Sequence, residues 1–388
     1  MKSLKSFWKL SLGLFIVGIV ASCNSDDTTT NTVTSTIQFQ KNSLSIAEGQ
    51  TGNVKLTLDK PSNKDREVTL QLANATAEYG VDFIIAKVIF PEQEFVVTIP
   101  KDSTTVTVPI YALGDFDSET NENFDLKIES YSDGIHSGDV TSVNVTITNV
   151  VNLSEENRAI SFDGVDDYID LGNIFDDLEL PFSVSAWVWI DPSVSDGVLL
   201  PVFISQDGSD VYNGFSFNTS TLSHVGLTYG DGLGGNSSVY RRSKGSDYYS
   251  PTRGRWVNIT AVVRGAVDMS LYLNGVEIPG EYNGSSNSPM DSNASTKNAV
   301  IGLMHGNGSA IYRFVGLIDE VKVWNRELSE AEVQVSIFNK SVSTENGLIG
   351  YWDFDEPDGT TVYDKSSNQF NGVIQNKATR VISNAPVK

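Results

Sequence analysis

The residue types best suited to chemistry crowd into one polar, Gly/Ser-rich stretch: Tyr229, Tyr240, Arg241, Arg242, Asp247, Tyr248 and Tyr249. Aromatic rings take the apolar C–H face of a sugar, and Arg or Asp beside them supply planar hydrogen bonds to its hydroxyl rim. The stretch is therefore a candidate glycan-binding loop cluster, with Trp189 as a candidate second platform. The alternative use of the same rings is to cover a sheet or fill space beneath loops.

Catalytic constellations are thin by comparison. The histidines are His136, His224 and His305, and neither a Gly-x-Ser-x-Gly elbow nor a His-Glu-x-x-His pair accompanies them. Gly230-Asp231-Gly232-Leu233-Gly234-Gly235 opens no helix, so it reads as a flexible loop rather than a phosphate cradle. One cysteine excludes an intrachain disulfide and leaves a Cys/His zinc cage short of ligands. With 27 Lys plus Arg against 49 Asp plus Glu, the net charge of −22 repels phosphate backbones, and no nucleic-acid partner is expected. A chain of 388 residues, 39% of them apolar, has room for two or three domains with cores of their own.

The elements that position these residues follow from hydrophobic period. From about Ser35, inward sets alternate strictly: Val54/Leu56/Leu58, Val68/Leu70/Leu72, Phe95/Val97/Ile99, Val106/Val108/Ile110, Phe124/Leu126/Ile128 and Val143/Val145/Ile147. Period two with polar partners predicts half-buried antiparallel strands, and their number predicts an immunoglobulin-like sandwich without helices over 35–150. After a polar connector at 151–157, a second architecture occupies 158–388. Its strand Phe182–Val188 has two distinct faces, continuing to Trp189. Leu271-Tyr272-Leu273-Asn274-Gly275 ends in a hairpin signal, and Ser329 to Phe338 reads as a helix opened by a Ser329/Glu332 capping box.

Ahead of both, Lys2, Lys5 and Lys9 lead into the apolar run Leu10–Ala21, too short to span as a transmembrane helix and placed as a secretory signal over 1–22. Val20-Ala21-Ser22-Cys23 resembles the lipobox of bacterial lipoproteins, which implies a lipidated Cys23 followed by a flexible tether over 23–34. Asn24-Ser25-Asp26-Asp27 resembles the surface-export signal of Bacteroidetes lipoproteins, implying a lipid-anchored protein exposed on the outer membrane.

Ala77-Glu78-Tyr79-Gly80-Val81-Asp82-Phe83 and Asp115-Phe116-Asp117-Ser118-Glu119-Thr120-Asn121-Glu122-Asn123-Phe124 resemble the signatures of Calx-β domains. Glu48 matches the acidic residue of that family's first strand. The resemblance implies calcium ligands among Glu48, Asp82, Asp115, Asp117, Glu119 and Glu122, at one end of the sandwich. It departs at Gly114-Asp115 and Thr148-Asn149-Val150, where sensing members carry aspartates, and Asp82 and Glu122 can equally cap turns.

Phe162-Asp163-Gly164-Val165-Asp166-Asp167-Tyr168, Gly254-Arg255-Trp256-Val257, Leu271-Tyr272-Leu273-Asn274-Gly275 and Gly316-Leu317-Ile318-Asp319-Glu320-Val321 resemble the concanavalin A-like (laminin-G-like) jelly rolls. That resemblance implies a structural calcium joining Asp163 to Asp319, with Asp166 and Asp167 in reach; otherwise Asp163-Gly164 is a tight turn for which Asp319 is an acceptor. The tail from Gly347, which resembles a segment opening many members, is expected to add strands to the same sandwich. Hydrolases on this fold use Glu-x-Asp-x-x-Glu, whereas the one Glu-x-Asp here, Glu356-Pro357-Asp358, sits in a turn, so no enzyme is expected.

The composite expectation is an all-β chain, an immunoglobulin-like Calx-β sandwich followed by a concanavalin A-like (laminin-G-like) jelly-roll sandwich. The first domain acts as a stalk, and the second binds an extracellular polysaccharide or glycan with calcium stabilising its loops. A calcium-dependent adhesion protein with a protein partner is the alternative reading, and a glycoside hydrolase stands behind it.

Overall fold

Alternation in the first half of the chain produces two five-stranded sheets whose inward side chains meet. One sheet is ordered Phe83–Ile85, Thr105–Ala112, Thr51–Leu58, Ser35–Phe39, Ile135–Ser137; the other Ser43–Ala47, Ser142–Thr148, Glu122–Tyr131, Arg66–Ala73, Glu94–Ile99. Val54, Leu56, Val68, Leu70, Leu126 and Val145 share one buried core, in which Phe83 stacks on Phe124 with ring centroids 3.9 Å apart. In the computed structural model the described residues are 34–86, 88, 94–113, 120–150, 157–205, 211–220, 224–246, 253–292, 298–305 and 311–387. Cys23 and its leader, Asp115, Asp117, Glu119, Asp247, Tyr248 and Tyr249 lie outside them. Among the described residues no helix is long and apolar enough to cross a membrane.

From Arg158 the chain builds a larger sandwich. Its eight-stranded sheet runs Val276–Ile278, Asp268–Leu273, Trp256–Gly265, Phe182–Ile190, Val315–Trp324, Arg158–Asp163, Thr379–Ile382, with Leu348–Trp352 also paired to Val315–Trp324. Its nine-stranded sheet runs Glu281–Asn283, Arg241–Gly245, His224–Gly230, Phe215–Ser220, Leu199–Ser205, Val300–Ile301, Tyr168–Asp170, Gly372–Gln375, Thr361–Val362. The tail beyond Gly347 thus contributes strands to both sheets. Asn274 and Gly275, at φ 47° and 78°, form the two-residue turn that returns Leu273 to Val276. The helix Glu330–Ser336 starts in a reciprocal capping box: Glu332 N–H donates to Ser329 Oγ, and Ser329 N–H to Glu332 Oε2. A four-residue helix at Ser237–Tyr240, capped by Asn236, was not foreseen.

The strand Phe182–Ile190 is buried on both sides. Phe182, Val184, Ala186 and Val188 enter the core between the two sheets, while Trp187 and Trp189 point the opposite way into a separate cluster. Trp187 is fully buried and its indole N–H donates to Ile337 O at 2.7 Å. Three pieces cover this second face: Val333, Ile337 and Phe338 of the helical segment, Ala385 and Val387 of the C-terminus, and Ile84 and Leu113 of the N-terminal sandwich. Tyr111 stacks on Phe338 at 3.6 Å, and burial pushes its phenol up to about 12. Glu78 pairs with Arg255 across the same junction.

A bulge in Val315–Trp324 completes this cover. Glu320 takes a left-handed φ of 52°, and the pairing with Phe182–Ile190 slips between Ser185 and Trp187. The slip lets Ile318 and Val321 both face the core. Asp319 and Glu320 are buried along with them, in polar surroundings. Lys322 sits 3.1 Å from Glu320 and donates to Ser336 O and Asn339 O; Tyr351 Oη donates to Glu320, and Ser383 Oγ to Asp319. Burial, reinforced by the Glu320 charge, holds the Asp319 carboxyl well above the usual carboxylate range.

Because the native value is raised, the native state is penalised as pH climbs from the unfolded value of about 4 through the raised one; below that window the penalty is absent. Asp319→Asn removes the penalty while keeping the acceptor for Glu320 N–H. We expect the melting-temperature difference between variant and wild type to grow in the variant's favour as pH rises from 4 to 9. A difference that stays flat over that range would contradict the assignment.

Candidate functional site

The outer face of the nine-stranded sheet is polar where its inner face is not. Phe215, Phe217, Val225, Leu227 and Tyr229 point into the core, so Ser216, Asn218 and Ser220, and across from them His224, Gly226 and Thr228, point away from it. The register extends this set: Ser243 lies opposite Thr228, Gly245 opposite Gly226, and Ile204 opposite Ser216. Outward residues of an exposed sheet should be wet, yet Ser216, Asn218 and Ser220 are buried. The hairpin Leu303–His305/Ile311–Arg313 provides part of the cover, with Met304 Sδ 3.7 Å from Ser216 Oγ.

Gly226 and Gly245 let the His224 ring lie on the sheet. A Cβ at either position would come within 2.0 and 2.2 Å of that ring. Asn218 Nδ2 donates to Ser216 Oγ, whereas its buried Oδ1 has no hydrogen-bond partner among the described residues. An orphaned buried acceptor costs about 1–3 kcal/mol unless something donates to it. Arg241 caps one end, its guanidinium 3.6 Å from the Tyr212 ring centroid. The sequence signal for this floor was the alternation in Phe215-Ser216-Phe217-Asn218-Thr219-Ser220, set against glycines on the neighbouring strands.

The expected aromatic cluster divides. Tyr240 and Arg241 stand half-buried beside the polar face. Tyr229 is 1% exposed, a core residue whose Oη donates to Ser288 O, so it cannot serve as a platform. Arg242 is also withdrawn: it donates to Ala266 O, Gly284 O and Asn287 Oδ1 and braces the sheet edge. Trp189 lies on the other sheet, opposite Trp256 and Leu317, in the covered cluster. The glycine loop is tied down: Asp231 accepts from Leu233 N and Ser286 Oγ, and Tyr212 exchanges backbone bonds with Gly232 and Gly234. Glu356 is buried between Arg380 and Lys365, a structural ion pair.

The carboxylates also sort themselves. Asp163, Asp166 and Asp167 converge, with oxygens all within 4.8 Å of one another. Asp319 does not join them. Asp163 pairs with Val315, four residues along the strand from Asp319, a separation of about 13 Å. Asp167 is buried and accepts from Asp163 N and Lys377 N; Asp163 Oδ1 accepts from Val165 N across the tight turn at Gly164, φ 76°. Among the described residues none of the three pairs with Lys or Arg. Oxygens within 4.8 Å suit a hard cation whose bonds to oxygen are about 2.4 Å long, so the donor set fits calcium. In the N-terminal sandwich, Glu48, Asp82 and Glu122 form no cation-sized group of carboxylates among the described residues, and the Asp82 carboxylate accepts from Glu78 N. Glu48 accepts from Val150 N, Asp82 O from Leu113 N, and Glu122 lies opposite Ile147.

Residues 163–334 match the family described as the concanavalin A-like lectin/glucanases superfamily. Among solved structures, the chain is similar to a protein of Bacteroides ovatus ATCC 8483 described provisionally as carbohydrate binding (12% identity, 91% of this chain and 99% of that one, TM-score 0.44). It is also similar to the apo form of the Calx CBD1 domain (15%, 30% and 98%, 0.26) and to Calx CBD12 (14%, 61% and 82%, 0.26). No curated protein matches the chain. The fold class is all-β, with a concanavalin A-like second sandwich.

Asp167 does structural work whatever else the triad holds. In the presence of a chelator, Asp167→Ala should lower stability by about 1–3 kcal/mol, because two backbone N–H groups lose their acceptor. Exposed Asp166→Asn should leave the denaturant midpoint unchanged. Equal midpoints for both variants would refute the capping role.

Proposed function

We propose that this chain is a non-catalytic, lipid-anchored surface protein that binds extracellular carbohydrate on the outer face of the nine-stranded sheet. The carrying observation is the buried Asn218 acceptor, which has no donor among the described residues, in a floor of Ser216, Thr228, Ser243 and His224. A polyol brings both hydroxyl donors for such an acceptor and a C–H face for the imidazole. The match of residues 163–334 to a superfamily of lectins and glucanases supports the same ligand class.

Binding without hydrolysis is supported by where the carboxylates stand. At the described outward strand positions of this sheet they are Glu281 and Asp170, six strand spacings apart, or about 29 Å. Glycosidic cleavage places its pair about 5–9.5 Å apart. Calcium at Asp163, Asp166 and Asp167 would bind the turn after Arg158–Asp163 to the tail at Lys377, stiffening loops rather than performing chemistry. Cys23 would carry the lipid that holds the protein on the outer membrane surface, and the N-terminal sandwich would lift the binding face away from it.

The first test is retention of the full chain on insoluble polysaccharides, with calcium and with chelator. Wild type should be retained. Asn218→Leu should weaken retention at least tenfold while its melting temperature holds or rises, since an orphaned acceptor has been removed. Retention unaltered in that variant overturns the assigned face, and no retention by wild type in either buffer moves the reading to adhesion through a protein partner. For the anchor, Cys23→Ser should shift the protein from the membrane to the soluble fraction; continued membrane association would refute lipidation there.

A further inference from the structure

A second concavity lies at the end of the C-terminal sandwich, away from the polar sheet face. The loop after Tyr168–Asp170, the end of Val315–Trp324 and the turn before Gly372 enclose a cleft of about 200 Å³. Its floor is the half-buried ring of Phe370, backed edge to face by the buried core ring of Phe175 with centroids 5.7 Å apart at 85°. Its rim is Asp176, Asp177, Asn325 and Asn368. Phe370 and Asn368 lie in the tail beyond residue 334, so the chain walls this cleft with a segment outside the family match.

The rim is built to accept hydrogen bonds. Asn368 Nδ2 donates to Ile349 O at 2.9 Å, which leaves its Oδ1 for an incoming donor. Asp176 is oriented by Asn173 Nδ2 at 2.7 Å, and Asp177 is exposed, with neither an ion pair nor a side-chain hydrogen bond among the described residues. Phe175 and Gln369 hold left-handed φ values of 67° and 56° in the two segments that bring Phe175 and Phe370 together. Among the described residues no Lys or Arg lines it.

This chemistry selects a ligand class. An aromatic floor wants a C–H face, carboxylate and carboxamide oxygens want hydroxyl or amine donors, and the exposed Asp177 carboxylate repels an acid. The volume falls below the ~300–1,000 Å³ of pockets for drug-sized ligands, room for one ring rather than a chain. We infer that the cleft is a subsite for a single sugar ring carrying no acidic group, such as the end of a glycan whose length lies elsewhere. The inference rests on the carbohydrate reading and adds to it a place and a charge rule.

Ligand-observed saturation-transfer NMR on the full chain, with methyl glucoside, glucosamine and glucuronate, tests it beside the polysaccharide retention assay. Methyl glucoside and glucosamine should give transfer that falls at least fivefold in exposed Asp177→Ala and in Phe370→Leu, which keeps an apolar side chain in the floor; glucuronate should give none. Transfer unchanged in both variants, or equal transfer to glucuronate, overturns the subsite. Polysaccharide retention with no ring transfer overturns the subsite alone. Absence of both removes the subsite and the carbohydrate reading together, and ring transfer that fails in the variants without any retention supports the cleft while ending the polysaccharide role.

Discussion

A strand with tryptophans on one face and valines on the other cannot lie at a protein surface. Phe182–Ile190 is such a strand, and the requirement to keep both its faces dry organises the rest of the molecule. One face is met by the nine-stranded sheet. The other is met by the helix Glu330–Ser336, the C-terminal residues and the edge of the N-terminal sandwich, so the first domain is a packing partner of the second as well as its predecessor in sequence. With the eight-stranded sheet enclosed, the outer face of the nine-stranded sheet, partly covered by the hairpin Leu303–His305/Ile311–Arg313, is the sheet face proposed for recognition.

That surface spends stability on polarity. Ser216, Asn218 and Ser220 occupy positions where apolar residues would be cheaper to cover, and Gly226 and Gly245 give up side chains to make room for the His224 ring. The buried Asn218 acceptor, which has no donor among the described residues, is a local inconsistency in that face. The contrast with Ser185, Asn258 and Thr260 is instructive. Those buried polar groups, on the enclosed sheet, bond to one another and are structural.

Acidic residues serve three separate ends in this chain, and only burial and register tell them apart. Asp319 and Glu320 are carried inward by a bulge and answered by Lys322, Tyr351 and Ser383. Asp167 ties the Asp163 turn to Lys377 and at the same time stands beside Asp163 and Asp166 as a cation-sized cluster. Asp176 and Asp177 edge the cleft between the two sheets. The large negative net charge comes mostly from residues outside these sets, on a surface that turns polyanions away.

Features whose cause is local were legible in the residues themselves. The alternating strands of the first sandwich, the Asn274-Gly275 turn and the Ser329/Glu332 box depend on neighbours two to four positions away, and each formed. The family resemblance places Asp166 and Asp167 only within reach of a site joining Asp163 to Asp319, and the structure groups them with Asp163 without Asp319. What tertiary structure alone decided was register and face. Tyr229 falls inward because its strand alternates in phase with Val225 and Leu227, and Trp189 belongs to the other sheet. Asp163 and Asp319 sit on paired strands but out of step. Phe175 and Phe370 meet because the tail folds back on the sandwich. Strand pairing is set by the packing of whole faces, which couples residues far apart in the chain, and no local spacing encodes it.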